Sequence, residues 1–172
     1  TKKVMQEKLE GMNKVHWGAG RHALMEWYRT HHRSLPWREE PLPYTVWLCE
    51  IIMQQTRIDQ GLKYWHAFTS TWTDVHALAE APLDDVLKAW QGLGYYSRAR
   101  NLHRAAQTIA FEWGGSFPET AAEWQTIPGV GPYTAAAIAS ICYNEPVAAV
   151  DGNVLRVISR YVDIQDPIDR PI

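Results

Sequence analysis

The sequence predicts an all-α fold. Three observations carry that prediction. Apolar residues recur at helical spacing along most of the chain, no stretch alternates apolar and polar residues over a convincing strand length, and Gly or Pro punctuates the helical runs. At 172 residues and 19.7 kDa, one compact domain is the default, burying roughly 70% of the unfolded chain's surface.

The elements follow in order. Residues 1–20 read as a mixed polar leader without the apolar segment of a signal peptide. Leu24, Trp27, Tyr28 and His31 then form one helical stripe. Ser34-Leu35-Pro36-Trp37 breaks it, and Pro41 and Pro43 keep the connection extended. Tyr44, Trp47, Leu48, Ile51, Ile52 and Gln55 make the next stripe, and Ile58, Leu62, Trp65 and Trp72 a further one. Asp74 caps a short helix through Val75, Leu78 and Ala79. Pro82 suits the first turn of another, which turns Leu83, Val86, Leu87 and Trp90 inward and stops at Gly92 and Gly94. Leu102 to Trp113 is a strong helix ended by Gly114-Gly115. Thr120 and Glu123 read as a capping box. Pro132 opens a helix whose run from Ala135 to Cys142 is small and apolar, suited to close packing. Val147 to Val150 reads as extended coil, and Val154, Val157, Ile158 and Tyr161 form the last stripe.

Composition excludes several classes. Seventeen basic against nineteen acidic residues give a net charge of −2, which disfavours a wholesale electrostatic polyanion binder. Two cysteines, Cys49 and Cys142, exclude a disulfide framework and a Cys-only metal site within the chain. They fit an intracellular compartment: cytoplasm or nucleoid in a bacterium, nucleus or mitochondrion in a eukaryote. No run of 18 apolar residues predicts a membrane span. Nine Trp and eight Tyr against three Phe point to a rigid core, a stacking surface, or both.

The segment 127–134, Ile-Pro-Gly-Val-Gly-Pro-Tyr-Thr, lies between two predicted helices. Gly129 and Gly131 let the backbone turn tightly, and the turn and the next helix's first amides suit a phosphate, or a cation held between the turn's carbonyls and the phosphate. By itself the motif also suits a plain helix connector. Downstream, Val150-Asp151-Gly152-Asn153 precedes the last helix, with Asp151 or Asn153 placed as an N-cap that keeps a carboxylate ionised.

Together the hairpin and Asp151 resemble the helix-hairpin-helix, Gly/Pro-rich-loop, Asp superfamily of DNA glycosylases. Leu35-Pro36-Trp37-Arg38, the run from Val46 to Thr56, the run from Trp90 to Arg98, and Val150 to Val154 narrow the resemblance to the MutY adenine DNA glycosylases. It spans about Arg21 to Arg160. It implies a six-helix barrel from Arg21 to Asn153 within a helical glycosylase domain over residues 21–160, the helix-hairpin-helix glycosylase fold, with residues 161–172 opening the segment toward a further part. The implied activity is monofunctional base excision: adenine opposite 8-oxoguanine or G is flipped from double-stranded DNA and its glycosidic bond hydrolysed. A monomer is expected.

Residue by residue, the resemblance makes Glu50 the general acid and Asp151 the carboxylate that stabilises the cationic sugar. Asn153 orients that site, and Tyr133 lies close to both carboxylates. Tyr133 stands where related lyases carry a nucleophilic Lys, so no Schiff base is implied. Gln55 and Tyr95 match residues that wedge into the duplex, and Thr56 and Leu93 neighbours of the modified base. Trp37 is a candidate wall of the adenine pocket or a core residue. Arg38, Arg98 and Arg100 are candidate phosphate contacts, and Gly129, Val130 and Gly131 form the hairpin. From the residues alone, Glu50 shares a helix face with Trp47 and Gln54, where partial dehydration raises a carboxyl pKa.

The family continues into a four-cysteine loop holding a 4Fe-4S cluster and then a C-terminal domain. The resemblance places those cluster ligands beyond Ile172, with no metal ligands in the chain itself. Two alternatives stay open: a catalytically silent helix-hairpin-helix DNA-binding module, and a pyrimidine-lesion glycosylase/lyase.

Overall fold

The computed structural model describes residues 14–165 and 167. The expected segments 1–20 and 161–172 therefore lie partly outside the described residues. Helix α1, Lys14–His31, begins within the first of them. Contacts divide the chain into two compact units, where its length predicted one. Among the described residues, the first joins those up to Leu35 to those from Val150 onward, and the second is Pro36–Ala149. Both boundaries fall in extended connections, where few contacts cross.

The second unit is built around α3, Pro43–Ile52, with α2, Pro36–Glu39, just before it. Pro43 opens α3 at its first turn, where a missing N–H costs nothing. Tyr44, Val46, Trp47, Leu48, Cys49, Ile51 and Ile52 are all buried. A helix apolar all round has to be enclosed by others. Helix α4, Ile58–Thr71, packs on it, and Trp65 donates its indole N–H to Thr45 O at 2.9 Å. Helices α5 (Val75–Glu80) and α6 (Leu83–Ala89) both pack on α7 (Ser97–Gln107). Val86 and Trp90 are buried as expected, whereas Leu83, the first residue of α6, is exposed. Asp74 caps α5, accepting from Ala77 N at 2.9 Å. The Thr120–Glu123 capping box is present at the start of α8, Ala121–Trp124. Helix α9, Pro132–Tyr143, lays its alanine-rich run against α3 and α8. Small side chains there let the helix axes approach closely.

One predicted helix differs in its last turn. The segment expected to run to Trp113 widens into a π-helical turn at Thr108–Glu112. Gly115, at φ +83, closes it by donating its N–H to Ile109 O at 2.8 Å. Val147 to Val150 is extended coil, and no strand occurs among the described residues.

The hairpin before α9 sits directly on α7. Gly129 has φ +78, and a Cβ added to it would lie 2.7 Å from Asn101 Cβ. This glycine is required twice over, by its backbone and by the approach of α7. Gly131, the N-cap of α9 at φ −86, instead faces open space.

The first unit pairs α1 with α10, Gly152–Tyr161. The predicted stripe of α1 is not buried: Leu24, Trp27 and Tyr28 are 63%, 56% and 42% exposed. A single partner helix cannot cover that stripe. Leu24, Val157, Ile158 and Tyr161 line an open groove of about 680 Å³. Trp27 and Tyr28 stack on His31 and His32 of their own helix, each at 5.2 Å.

The two hairpin glycines thus separate in a denaturation experiment. Gly129→Ala lowers the stability of the chain by about 1–3 kcal/mol. Gly131→Ala changes it by less than about 1 kcal/mol. Equal losses in urea melts of the two variants contradict this placement.

Candidate active site

Glu50 lies near the C-terminal end of α3, the one acidic residue in an otherwise apolar helix. Trp47, one turn earlier on the same side, is fully buried in a cluster with Tyr44, Phe117 and Trp124, ring centroids 6.3–6.5 Å away. One turn later, Gln54 Nε2 comes within 3.4 Å of Thr134 Oγ1, in the first turn of α9. The Glu50 side of α3 therefore meets the hairpin end of α9. Burial pushes the Glu50 carboxyl up from 4.5 to about 7, against the lowering influence of Arg38. Desolvation wins because it acts on the carboxyl directly, whereas the Arg38 side chain is exposed and screened by water. Cys49 beside it is pushed up too, first by burial and then by Glu50. It stays a neutral thiol and adds no negative charge.

Asp151 is in the opposite condition. It is the N-cap of α10, and one carboxylate oxygen accepts from Asn153 N at 2.9 Å and Val154 N at 2.8 Å. The other accepts from Asn153 Nδ2 at 2.8 Å, and Asn153 Oδ1 accepts from Arg156 Nη2 at 2.6 Å. The Val154 amide bond contributes most to lowering its pKa; desolvation opposes it next, and the two Asn153 bonds and Arg156 lower it further. Asp151 is thus held ionised, and Asn153 is locked to it. Asp151 and Asn153 belong to the first unit, whereas Glu50 belongs to the second.

The other expected site residues fall into three groups. Gln55, just past α3, and Tyr95, just before α7, are both exposed, Tyr95 at 67%. Both adopt the left-handed backbone region, at φ 56 and φ 47. That region is uncommon for residues with a side chain and concentrates at functional sites. Tyr133 is 40% exposed in the first turn of α9, beside the exposed Gly129 and Gly131 of the hairpin. Thr56 is half-buried and donates its hydroxyl to Gln54 O at 3.3 Å. Leu93, Val130 and Trp37 are buried. Trp37 packs its ring on Trp65, centroids 5.3 Å apart.

Arg98 departs from its expected role as a phosphate contact. Its guanidinium donates to backbone carbonyls of two segments of the second unit, and its face lies over Trp90 at 5.1 Å and Tyr95 at 5.8 Å. Sequence reasoning did not find that bond set, because it joins residues 44–47 apart. The one local signal was the spacing Tyr95-x-x-Arg98 after a Gly-rich turn.

Fold and site define a class. The family model described as "HhH-GPD superfamily base excision DNA repair protein" matches residues 48–170, and the chain belongs to that superfamily. The particular proteins it resembles in sequence are adenine DNA glycosylases. The mouse protein of that name is 42% identical over 151 residues, covering 83% of this chain and 29% of its own length. The Mycobacterium tuberculosis protein is 41% identical over 140 residues, covering 81% and 46%. This chain spans less than half the length of these relatives. Among solved structures, a thermostable thymine-DNA glycosylase superposes with TM-score 0.79 at 25% identity, covering 84% of this chain and 67% of its own. A non-covalent endonuclease III–DNA complex shares the fold, with TM-score 0.72 at 21% identity over 88% and 72% of the two chains.

The residues present do not suit a four-thiolate iron–sulfur cluster. The chain has two cysteines, and burial raises the pKa of both thiols. Among the described residues no group of three or more metal-ligating side chains gathers, and no helix is long and apolar enough to cross a membrane.

The raised Glu50 carboxyl has a consequence for stability. Between pH 4.5 and 7 the folded chain keeps a proton that the unfolded chain releases, so stability falls as pH rises through that window. Glu50→Gln removes the effect. The variant is more stable than the parent by about 3 kcal/mol at pH 8 and by only about 1 kcal/mol at pH 5. Denaturant melts at both pH values measure the difference, and a gap that does not change with pH contradicts a half-buried, protonatable Glu50.

Proposed function

We propose that this chain carries the active site of a monofunctional adenine DNA glycosylase, acting on adenine opposite 8-oxoguanine or G in double-stranded DNA. The observation that carries the reading is the contrast between two carboxyls. Burial holds one near neutrality, and a helix N-terminus keeps the other ionised. Such a pair divides acid from charge stabilisation, as glycosidic bond cleavage requires. The similarity to adenine DNA glycosylases supports the choice of base.

In this reading the adenine leaves the stack, because its glycosidic bond is out of reach inside the duplex. Glu50 gives its proton to adenine N7. The C1′–N9 bond breaks with its electron pair going to the base, and Asp151 stabilises the positive sugar. Water then adds to C1′ and returns a proton to Glu50. Free adenine and an abasic site are the products. Asn153, bonded to Asp151 and Arg156, keeps the second carboxylate oriented. Tyr133 offers no amine, so the sugar is not held as a Schiff base. The hairpin amides around Gly131 approach a backbone phosphate, which needs little net positive charge. Gln55 fills the gap in the duplex and hydrogen-bonds a base edge, and Tyr95 stacks in a separated base step.

Single-turnover adenine release from an A:8-oxoguanine duplex tests the reading. Glu50→Gln loses at least ~100-fold in rate. Asp151→Asn loses as much while keeping the cap, since Asn caps a helix as well as Asp does. The wild-type rate falls as pH rises through about 7, where Glu50 loses its proton. Wild-type rates in Glu50→Gln, or borohydride trapping of a covalent complex, contradict it.

A further inference from the structure

Two of the exposed residues described above, Gln55 and Tyr95, hold a left-handed backbone without being glycine. Such positions persist only where the surroundings over-determine them. Arg98 is the side chain that does so for both. Nη1 donates to Ile51 O at 3.1 Å, Ile52 O at 3.3 Å and Gln54 O at 2.6 Å. Nη2 donates to Leu93 O at 3.1 Å and Gly94 O at 3.4 Å. Gln54 O belongs to the peptide plane entering Gln55, and Gly94 O to the plane entering Tyr95. A single guanidinium therefore grips the peptide groups that set φ at both residues.

The rest of the Arg98 environment reinforces the grip. The Ile51 and Ile52 carbonyls are end groups of α3, unpaired within the helix and at the negative end of its dipole, where a cation is favoured. The guanidinium carbon lies over both the Trp90 and the Tyr95 ring, 5.1 and 5.8 Å from their centroids. Trp90 is fully buried and donates its indole N–H to Gly94 O at 3.0 Å, fixing the same turn from behind. Arg98 Nε is buried without a hydrogen-bond partner, so the fork, rather than the whole side chain, is what this site uses.

We propose that Arg98 is a positioning residue for mispair recognition, holding Gln55 and Tyr95 as one rigid pair of probes that enter the duplex together. The inference rests on the glycosylase reading. Its physical content is preorganisation: two side chains ordered before binding lose little conformational freedom on entering a base stack. Lysine cannot replace the fork, because a point ammonium cannot bridge two sets of carbonyls in a plane.

The test compares the wild-type chain with Arg98→Lys on duplexes carrying A opposite 8-oxoguanine or a matched T, with 2-aminopurine beside the target pair. Wild type binds the mispair in preference to the matched duplex and raises 2-aminopurine fluorescence as the step unstacks. Arg98→Lys loses at least ~10-fold of that preference and most of the fluorescence rise. The pH midpoint of adenine release, set by Glu50, does not move. A folded Arg98→Lys with wild-type preference and fluorescence overturns the proposal. So does a wild-type chain without mispair preference. Backbone ¹⁵N relaxation on the wild type decides the case where Arg98→Lys fails to fold. Gln55 and Tyr95 amides as rigid as the α3 amides support the proposal, and mobile ones overturn it. Failure of the glycosylase reading looks different: wild type then unstacks the mispair in an Arg98-dependent way but releases no adenine.

Discussion

The structure depends on one constraint, the enclosure of α3. Seven of its ten residues are buried, and it carries Glu50 into that apolar setting as its one ionisable carboxyl. Isolating a carboxylate from water is unfavourable, so the group responds by keeping its proton. The proton is the catalytic asset in the proposed chemistry, and the desolvation that maintains it destabilises the folded chain at neutral pH. The aromatic cluster of Tyr44, Trp47, Phe117 and Trp124 sustains this setting, and the alanine-rich run of α9 packs against α3 as well.

Asp151 reaches the opposite protonation state by a local device. Its carboxylate takes two amides of the first turn of α10 and the Asn153 side chain, a bond set that exists only for the ionised form. One carboxyl is governed by long-range packing and the other by a cap within three residues. The fold thus sets each state separately. Arg98 applies a third kind of control, by fixing backbone rather than charge.

These differences in range explain what was legible in the sequence. The Asp151 cap, the Thr120–Glu123 box and the Pro132 start were readable because each is settled within a few residues. The α3 stripe was readable from its period, and the Trp47–Glu50 spacing pointed to a dehydrated carboxyl. The fate of α1 was not readable. Periodicity says that Leu24, Trp27 and Tyr28 share a face, but only a packing partner decides whether that face is covered. The π-helical turn at Thr108–Glu112 depends on Gly115 meeting Ile109 O, and it leaves the apolar period nearly unchanged. Arg98 reads as a surface cation until two distant segments are brought to it. The left-handed backbone at Gln55 and Tyr95 was hidden for the same reason, since neither residue type announces it.

The account stands or falls on the protonation of Glu50. A ¹³C NMR titration of the glutamate side-chain carboxyls, with Glu50→Gln to assign the resonance, measures it without any substrate. The account predicts that Glu50 titrates at about 7, apart from glutamates in contact with water. A Glu50 midpoint at the ordinary value of 4.5 contradicts it, because the carboxyl then holds no proton to give at neutral pH.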